Sequence, residues 1–331
     1  MRTLVTGATG FVGRHVVTDL AGRGDRVTAM VRPSSTLPGE LADAGAEALV
    51  ADLRRPPPDL ASRLAAFDAV YHLAAGGGPT WRALFDANVT TTENLVRALA
   101  DAGWRGRLVH VSSLAVYGFN QLPRGATVDE STPLEPEPGR RDDYAWTKLW
   151  QERVVRRVEG TGPELVIVRP GAIYGRERRF QYRLGRPLGE QRVLMLGGGN
   201  PMPLTHVVNA ASLVGECGHH PRAAGQVFNC VDPAPVTQRE YLRRWRAGGQ
   251  GPAVVPVPLW VMRGAGAALS LAGRRTQGRW GPPLFLDPYV MEPTFRRFEF
   301  DTTKPRRVLG WAPPLSSEEG LRLTFAGGQT G

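Results

Sequence analysis

Along the first half of the chain, short apolar runs alternate with stretches in which hydrophobic residues recur every three or four positions. Residues 2–6, 27–31, 47–50, 69–73, 108–112 and 165–168 read as strands. Between them, Val12, Val16 and Leu20 recur at helical spacing, and 84–102 and 143–158 form longer helical stretches. Parallel neighbours in a sheet need a crossover connection, and helices supply it, so this alternation predicts an α/β chain with a doubly wound parallel sheet. After Pro170 the texture changes. Residues 171–203 and 247–293 are rich in Arg, Gly and Pro, whereas 204–231 again looks like a helix and a strand, rejoining the sheet. The expected division is therefore 1–170 plus 204–232 as one unit, and 171–203 plus 233–331 as a smaller, discontinuous C-terminal one.

Charge and cysteine content narrow the function classes. The net charge is +10, with 41 Lys and Arg, of which only Lys148 and Lys304 are lysines. The arginines are densest at 176–186, 239–246 and 296–307, and no nucleic-acid module accompanies them, so no nucleic-acid partner is expected. The two cysteines, Cys217 and Cys230, form no disulfide framework, and their spacing around His219 and His220 fits no usual zinc site. The first residues lead straight into a glycine turn without a signal-peptide pattern. The apolar stretch 258–273 is interrupted by Arg263 and falls short of the roughly 20 residues of a membrane span, so a lid or core helix is expected there. A reduced, cytoplasmic protein without a metal centre is the expectation.

Gly7-Ala-Thr9-Gly10-Phe11-Val12-Gly13 follows the first strand and opens the first helix. In that setting glycines allow a tight turn and close approach of backbone amides to a pyrophosphate, while the helix N-terminus adds partial positive charge. This makes the first unit a dinucleotide-binding, Rossmann-type fold and the second a substrate-binding unit. The second strand ends Ala29-Met30-Val31-Arg32, without the carboxylate that normally binds the adenosine ribose of NAD. A guanidinium grips the extra phosphate of NADP, so NADP(H) is expected over NAD(H), which remains possible.

Tyr144 and Lys148 stand four residues apart in a predicted helix and so share one face. A phenol exchanges protons near neutrality only if its pKa of about 10 is perturbed, and an adjacent ammonium does this. The pair therefore predicts an acid/base catalyst.

Together these residues resemble the extended short-chain dehydrogenase/reductase family, also described as NAD-dependent epimerase/dehydratase. The similarity spans nearly the whole chain through Thr6 to Gly13, Ala51-Asp52-Leu53, His72-Leu73-Ala74-Ala75, Asn88, Val111-Ser112-Ser113, Val116-Tyr117-Gly118, Tyr144 to Lys148, Arg169-Pro170 and Leu309-Gly310-Trp311-Ala-Pro313. The resemblance implies that Asp52 and Leu53 lie against the adenine, and that Leu73, Ala74 and Ala75 run along the cofactor. Pro170 would line the nicotinamide pocket. Ser113 would polarise the substrate oxygen, Tyr144 would be the general acid or base, and Lys148 would hold the nicotinamide ribose and depress the tyrosine pKa. It also implies a homodimer through helices at 84–102 and 143–158.

Dehydratases of this family carry an Asp-Glu pair after the active-site hydroxyl, where this chain has Leu114 and Ala115, neither able to move a proton. Two positions that grip the diphosphate in nucleotide-sugar enzymes are Ala172 and Met202, although Arg176, Arg178 or Arg179 could substitute. The segments 201–209 and 300–313 look more like the hydroxysteroid-dehydrogenase and carbonyl-reductase side. The expected activity is an NADP(H)-dependent reduction of a carbonyl, or oxidation of a secondary alcohol, in a small metabolite. The alternatives are a sugar epimerase or 4-ketoreductase with tightly held NAD(P), and a non-catalytic NADP sensor, against which the intact Tyr144 and Lys148 speak. Trp260, Met262, Phe285, Leu286, Tyr289 and Phe295 are candidates for an apolar substrate wall or simply for core, and His206 for a substrate contact or a structural histidine.

Overall fold

The computed structural model describes residues 1–78, 80–189, 191–197, 199–249, 251–276 and 282–326, apart from the Glu292 side chain. The last five positions of the expected second unit, 327–331, lie outside the described residues. Seven strands form one sheet: β1 (Arg2–Thr6), β2 (Arg26–Val31), β3 (Glu47–Val50), β4 (Ala69–His72), β5 (Arg107–Val111), β6 (Glu164–Pro170) and β7 (Val227–Cys230). All neighbours are parallel and the order is β7-β6-β5-β4-β1-β2-β3. The chain winds outward in both directions from β1 and β4, and such a reversal opens a crevice beyond the strand ends. The expected α/β doubly wound sheet is the fold observed.

Side chains alternate between sheet faces, and both faces are covered. Val5, Tyr71, Val109 and Val166 join Val16, Val17 and Leu20 of α1 (Phe11–Gly22) in one apolar cluster. Leu4, Val70, Leu108 and Leu165 join Leu95 and Leu99 of α2 (Thr91–Asp101) and Val155 of α3 (Asp143–Val155) in the other. The return at 204–231 contains α4 (Val207–His219), whose Leu213, Val214 and Cys217 fill the first cluster, and then β7. Cys230 lies in the same cluster, and burial pushes both thiols up.

The expected helix 84–102 is interrupted. A π-helical turn at Asp86–Thr90 precedes α2. Thr91 donates to the carbonyls of Ala87 and Asn88, Thr92 donates to that of Asn88, and the Asn88 amide donates to that of Leu84. Side-chain donors thus occupy carbonyls that a regular helix would use, and the turn widens.

Beyond β6 the elements are small. Gly185–Pro187, Arg192–Leu196 and Ala253–Val257 form a three-stranded sheet, which packs with Tyr174, Tyr241 and Phe325 in a separate core. From Glu299 the chain crosses back to the first body: Glu299–Phe300 pairs with Thr127–Val128, Leu309 enters the first cluster, and Trp311 Nε1 donates to Ser212 Oγ at 3.0 Å. The stretch 258–273 begins at the N-cap Pro258 and continues in the helix Leu259–Arg275, which buries only Met262 and Gly266 and leaves Trp260 74% exposed. Among the described residues, no helix is long and apolar enough to cross a membrane.

Candidate active site

A cleft of about 1100 Å³ opens beyond the C-terminal ends of β1, β4, β5 and β6. Gly7, Thr9, Gly10, Phe11, Val12, Arg32, Asp52, Leu53, Leu73, Ala74, Ala75, Ser113, Tyr144, Lys148 and Pro170 all line it. Every residue picked from the sequence for cofactor or catalysis therefore faces one space.

The glycines of the first turn do different things. Gly7 has φ +71°, and a Cβ there would come within 2.8 Å of the Ala74 nitrogen; at Gly13 a Cβ would strike the Gly7 carbonyl at 2.1 Å. Both are needed for the fold itself. At Gly10 a Cβ would meet only the Gly7 carbonyl, at 3.2 Å. Gly10 is also the N-cap of α1, and without a side chain it leaves the first-turn amides uncapped at the edge of the cleft. Uncapped amides at a twelve-residue helix with an open approach fit a pyrophosphate.

Where the sequence expects the adenosine, Asp52 accepts from Arg54 Nη2 at 2.7 Å and from the Arg54 backbone at 3.0 Å. That pairing, together with the nearby charge of Arg32, holds its carboxyl below the usual range. Arg54 also lines the cleft, so two guanidiniums stand at this end where the sequence reading named one.

The floor is held by a buried polar chain. Thr92 commits its hydroxyl proton to the Asn88 carbonyl, so His72 Nε2 donates to Thr92 and its Nδ1 accepts from Thr6 Oγ1, at 2.9 and 2.8 Å. Thr6 Oγ1 in turn accepts from the Ala74 amide, and Asn88 clasps Gly76 through both its oxygen and its nitrogen. Burial pushes His72 down to about 3, so it stays neutral.

One face of α3 carries the reactive groups. Asp142 caps this helix by accepting from the Ala145 amide at 3.0 Å. Tyr144, Lys148, Gln151 and Glu152 then follow at i, i+4, i+7 and i+8. Gln151 donates to the Ala74 carbonyl, the Asn88 carbonyl and Thr92, tying the helix to the cleft floor. Glu152 accepts from Ser112 and receives Arg169 at 2.9 and 2.7 Å; Arg169 lies 4.8 Å from the Tyr117 ring centre, and Tyr117 donates to Asn229. This network locks the ends of β5 and β6 directly behind Ser113 and Pro170. Gln151 and Glu152 were absent from the sequence reading, and their spacing from Tyr144 and Lys148 was the available signal.

Lys148 is buried, and its Nζ donates to the Val111 carbonyl at 3.0 Å. Burial lowers its pKa to about 8, against the upward pull of Glu152. Tyr144 is 48% exposed by area. Desolvation nevertheless raises its pKa, opposed chiefly by the hydrogen bond with Ser113 and, further down, by the charge of Arg178. This corrects the expectation that Lys148 depresses the phenol: the strand-end carbonyl has captured the ammonium, and the leading influences on Tyr144 are burial and Ser113. With the phenol protonated and the lysine charged at neutral pH, the site is set to donate a proton.

Of the apolar candidates, Phe285 and Phe295 line the cleft; Met262 packs with Leu196, Met291 and Phe295 in a small core. Tyr289 instead donates to Glu135 at 2.6 Å. His206 caps α4 by accepting from the Val208 amide and is buried against Tyr174, so it is structural. Met202 is core, whereas Leu114, Ala115 and Ala172 do face the cleft.

A family model described as NAD dependent epimerase/dehydratase matches residues 3–230. The 4-hydroxy-2-methyl-3-oxo-4-farnesyl-3,4-dihydroquinoline-1-oxide ketoreductase of Stigmatella aurantiaca is 31% identical, over 100% of this chain and 98% of its own length. The 3 beta-hydroxysteroid dehydrogenase/Delta 5-->4-isomerase of Mycobacterium tuberculosis (strain CDC 1551 / Oshkosh) is 30% identical, over 97% and 88%. The solved structure of MoeE5 in complex with UDP-glucuronic acid and NAD superposes with a TM-score of 0.70 at 24% identity, covering 98% of each chain. The chain belongs to the NAD dependent epimerase/dehydratase family and is an NAD(P)-dependent enzyme of the extended short-chain dehydrogenase/reductase kind.

Proposed function

We propose that the protein is an NADP(H)-dependent ketoreductase or alcohol dehydrogenase for a carbonyl or secondary alcohol of a small, largely apolar metabolite. The observation that carries this reading is the meeting of Ser113, Tyr144 and Lys148 on the wall of the cleft that also contains the uncapped glycine turn. When bound, the nicotinamide cofactor supplies a hydride to a carbonyl carbon, or takes one from a carbinol. Tyr144 gives its phenolic proton to the carbonyl oxygen as negative charge develops there, and Ser113 stabilises that oxygen by hydrogen bonding. Lys148 supplies positive charge beside the reacting groups. Leu114 and Ala115 provide no second acid or base, which favours simple hydride transfer over dehydration. The relatives named for a ketoreductase and a hydroxysteroid dehydrogenase support the same reading.

Arg32 favours NADP(H), because a guanidinium suits a ribose phosphate, while Arg54 beside it is held by Asp52. A homodimer is part of the proposal: Trp81, 42% exposed, stacks edge-on against Trp146 beside Phe85, an aromatic face that a second copy would cover. The test is NADPH oxidation over a panel of ketones, aldehydes and keto-sugars, with dissociation constants for NADPH and NADH. Net NADPH consumption and at least tenfold tighter NADPH are expected. Product inversion without net consumption would make it an epimerase, and tighter NADH would remove the role given to Arg32.

A further inference from the structure

The helix Leu259–Arg275 turns its apolar side outward. Its inner side carries Met262, packed with Leu196, Met291 and Phe295, and Gly266, where a Cβ would strike the Leu286 carbonyl at 2.3 Å. These two positions are four apart and share one face. The exposed positions fall on the other, from Trp260 and Val261 through Gly264 and Ala268 to Leu271. The only exposed side chains of this helix with a polar group are Arg274 and Arg275, in its last turn. Trp260 is 74% exposed and Leu271 49%. A surface helix in water normally turns polar residues outward, so an outward apolar face marks a surface that something else covers.

Charge says what covers it. Residues 241–286 contain seven arginines and no acidic residue. Arg243 and Arg244 pair with Glu240 on their own helix, but no carboxylate lies on the helix Leu259–Arg275 or on the strand Ala253–Val257 that leads into it. A second copy docking face to face would set this basic surface against its own like. An anionic lipid surface supplies the opposite charge, together with an interface into which indole and aliphatic groups partition. Seventeen residues span about 25 Å of helix, short of the ~30 Å hydrocarbon core, so the helix can lie on a bilayer but not cross it.

We propose that this helix docks the protein on anionic bilayers, with Trp260, Val261 and Leu271 at the boundary of headgroups and acyl chains and with Arg274 and Arg275 against lipid phosphates. The place is next to the cleft: the helix rests through Gly266 on the turn Leu284–Leu286, and Leu284 and Phe285 of that turn line the cleft. Docking therefore brings a wall of the cleft to the lipid surface. The inference goes beyond the oxidoreductase reading and does not depend on it.

The test is sedimentation of the full chain with vesicles of phosphatidylcholine, with and without phosphatidylglycerol. Binding is expected only with the anionic lipid and is expected to weaken at high salt. Trp260→Glu and, independently, Leu271→Glu should each weaken it at least tenfold, and Trp260→Phe should keep most of it. Arg274→Gln together with Arg275→Gln should cost about 10- to 30-fold, because each basic side chain at such a surface is worth about fivefold. All four positions are exposed, so the melting temperatures should stay close to that of the wild type. Lipids brominated along the acyl chain should quench tryptophan fluorescence more in the wild type than in Trp260→Phe. Binding that survives Trp260→Glu would belong to the general positive charge of the protein and overturns the inference. So does the absence of binding, or self-association in its place that Trp260→Glu abolishes, which would give the face to a second copy.

Discussion

On the sheet side of the cleft, polar side chains are bound to one another: Thr6 to His72 to Thr92, Gln151 to the cleft floor, and Ser112 and Arg169 to Glu152. On the opposite side, the exposed Arg178 and Arg186 line the cleft, and neither has a carboxylate partner among the described residues. The first arrangement spends its hydrogen bonds on holding groups still, as reactions that depend on sub-ångström geometry require. The second leaves them for a ligand. A chain can thus keep one chemistry on a rigid body while the facing wall sets what enters.

The comparison breaks most sharply at Tyr144. If the sheet side holds the proton donor, Tyr144→Phe should cut kcat by about 10²- to 10⁴-fold, while NADPH titrated by fluorescence quenching still binds within about twofold. A mutant retaining most of its turnover would show that another group moves the proton. Next comes Glu152→Ala, which leaves the Arg169 guanidinium buried without its partner. Removing one member of a buried pair costs about 3–5 kcal/mol, so the urea midpoint should drop steeply. A loss below about 1 kcal/mol would mean the strand ends are not held by this network.

The difference between the two sides also decided what could be read without coordinates. The glycine turn, Arg32, Ser113 and the Tyr144 and Lys148 pair were legible because each depends on local chain geometry: a strand-to-helix turn, a strand end, one helical face. All of them face the same cleft. Long-range satisfaction was not legible. Nothing in the local pattern says that Glu152 will meet Arg169, or that Lys148 will be taken by the Val111 carbonyl, since each pair joins a helix residue to a residue at the end of a flanking strand, 17 and 37 positions apart. The π turn was hidden for a related reason, because it depends on the side chains of Asn88, Thr91 and Thr92 taking carbonyls of the helix itself. On the far wall the small strands and Gly-rich connections carry too little periodicity for the facing of Arg178, Phe285 or Phe295 to be inferred.

Lys148 offers the mildest test, and it sharpens the contrast by asking whether the rigid side is also electrostatically tuned. Its pKa of about 8 lies below the ordinary lysine value because burial disfavours the charged form. Tyr144 is shifted the other way, above its usual value of about 10, so the phenol keeps its proton throughout the range in which the lysine titrates. For carbonyl reduction both protons are required. The rate is therefore fully present below about pH 8 and is lost as pH rises through that value, about tenfold per unit, with the lysine and not the tyrosine responsible. The kcat/KM for NADPH reports groups of the free enzyme, so it is the profile to measure. Replacing the ammonium with a guanidinium, which stays charged, should lower the plateau and remove the falling limb up to about pH 10. A limb that persists unchanged in Lys148→Arg would belong to another group, and the lowered lysine would then be a by-product of burial with no part in the chemistry.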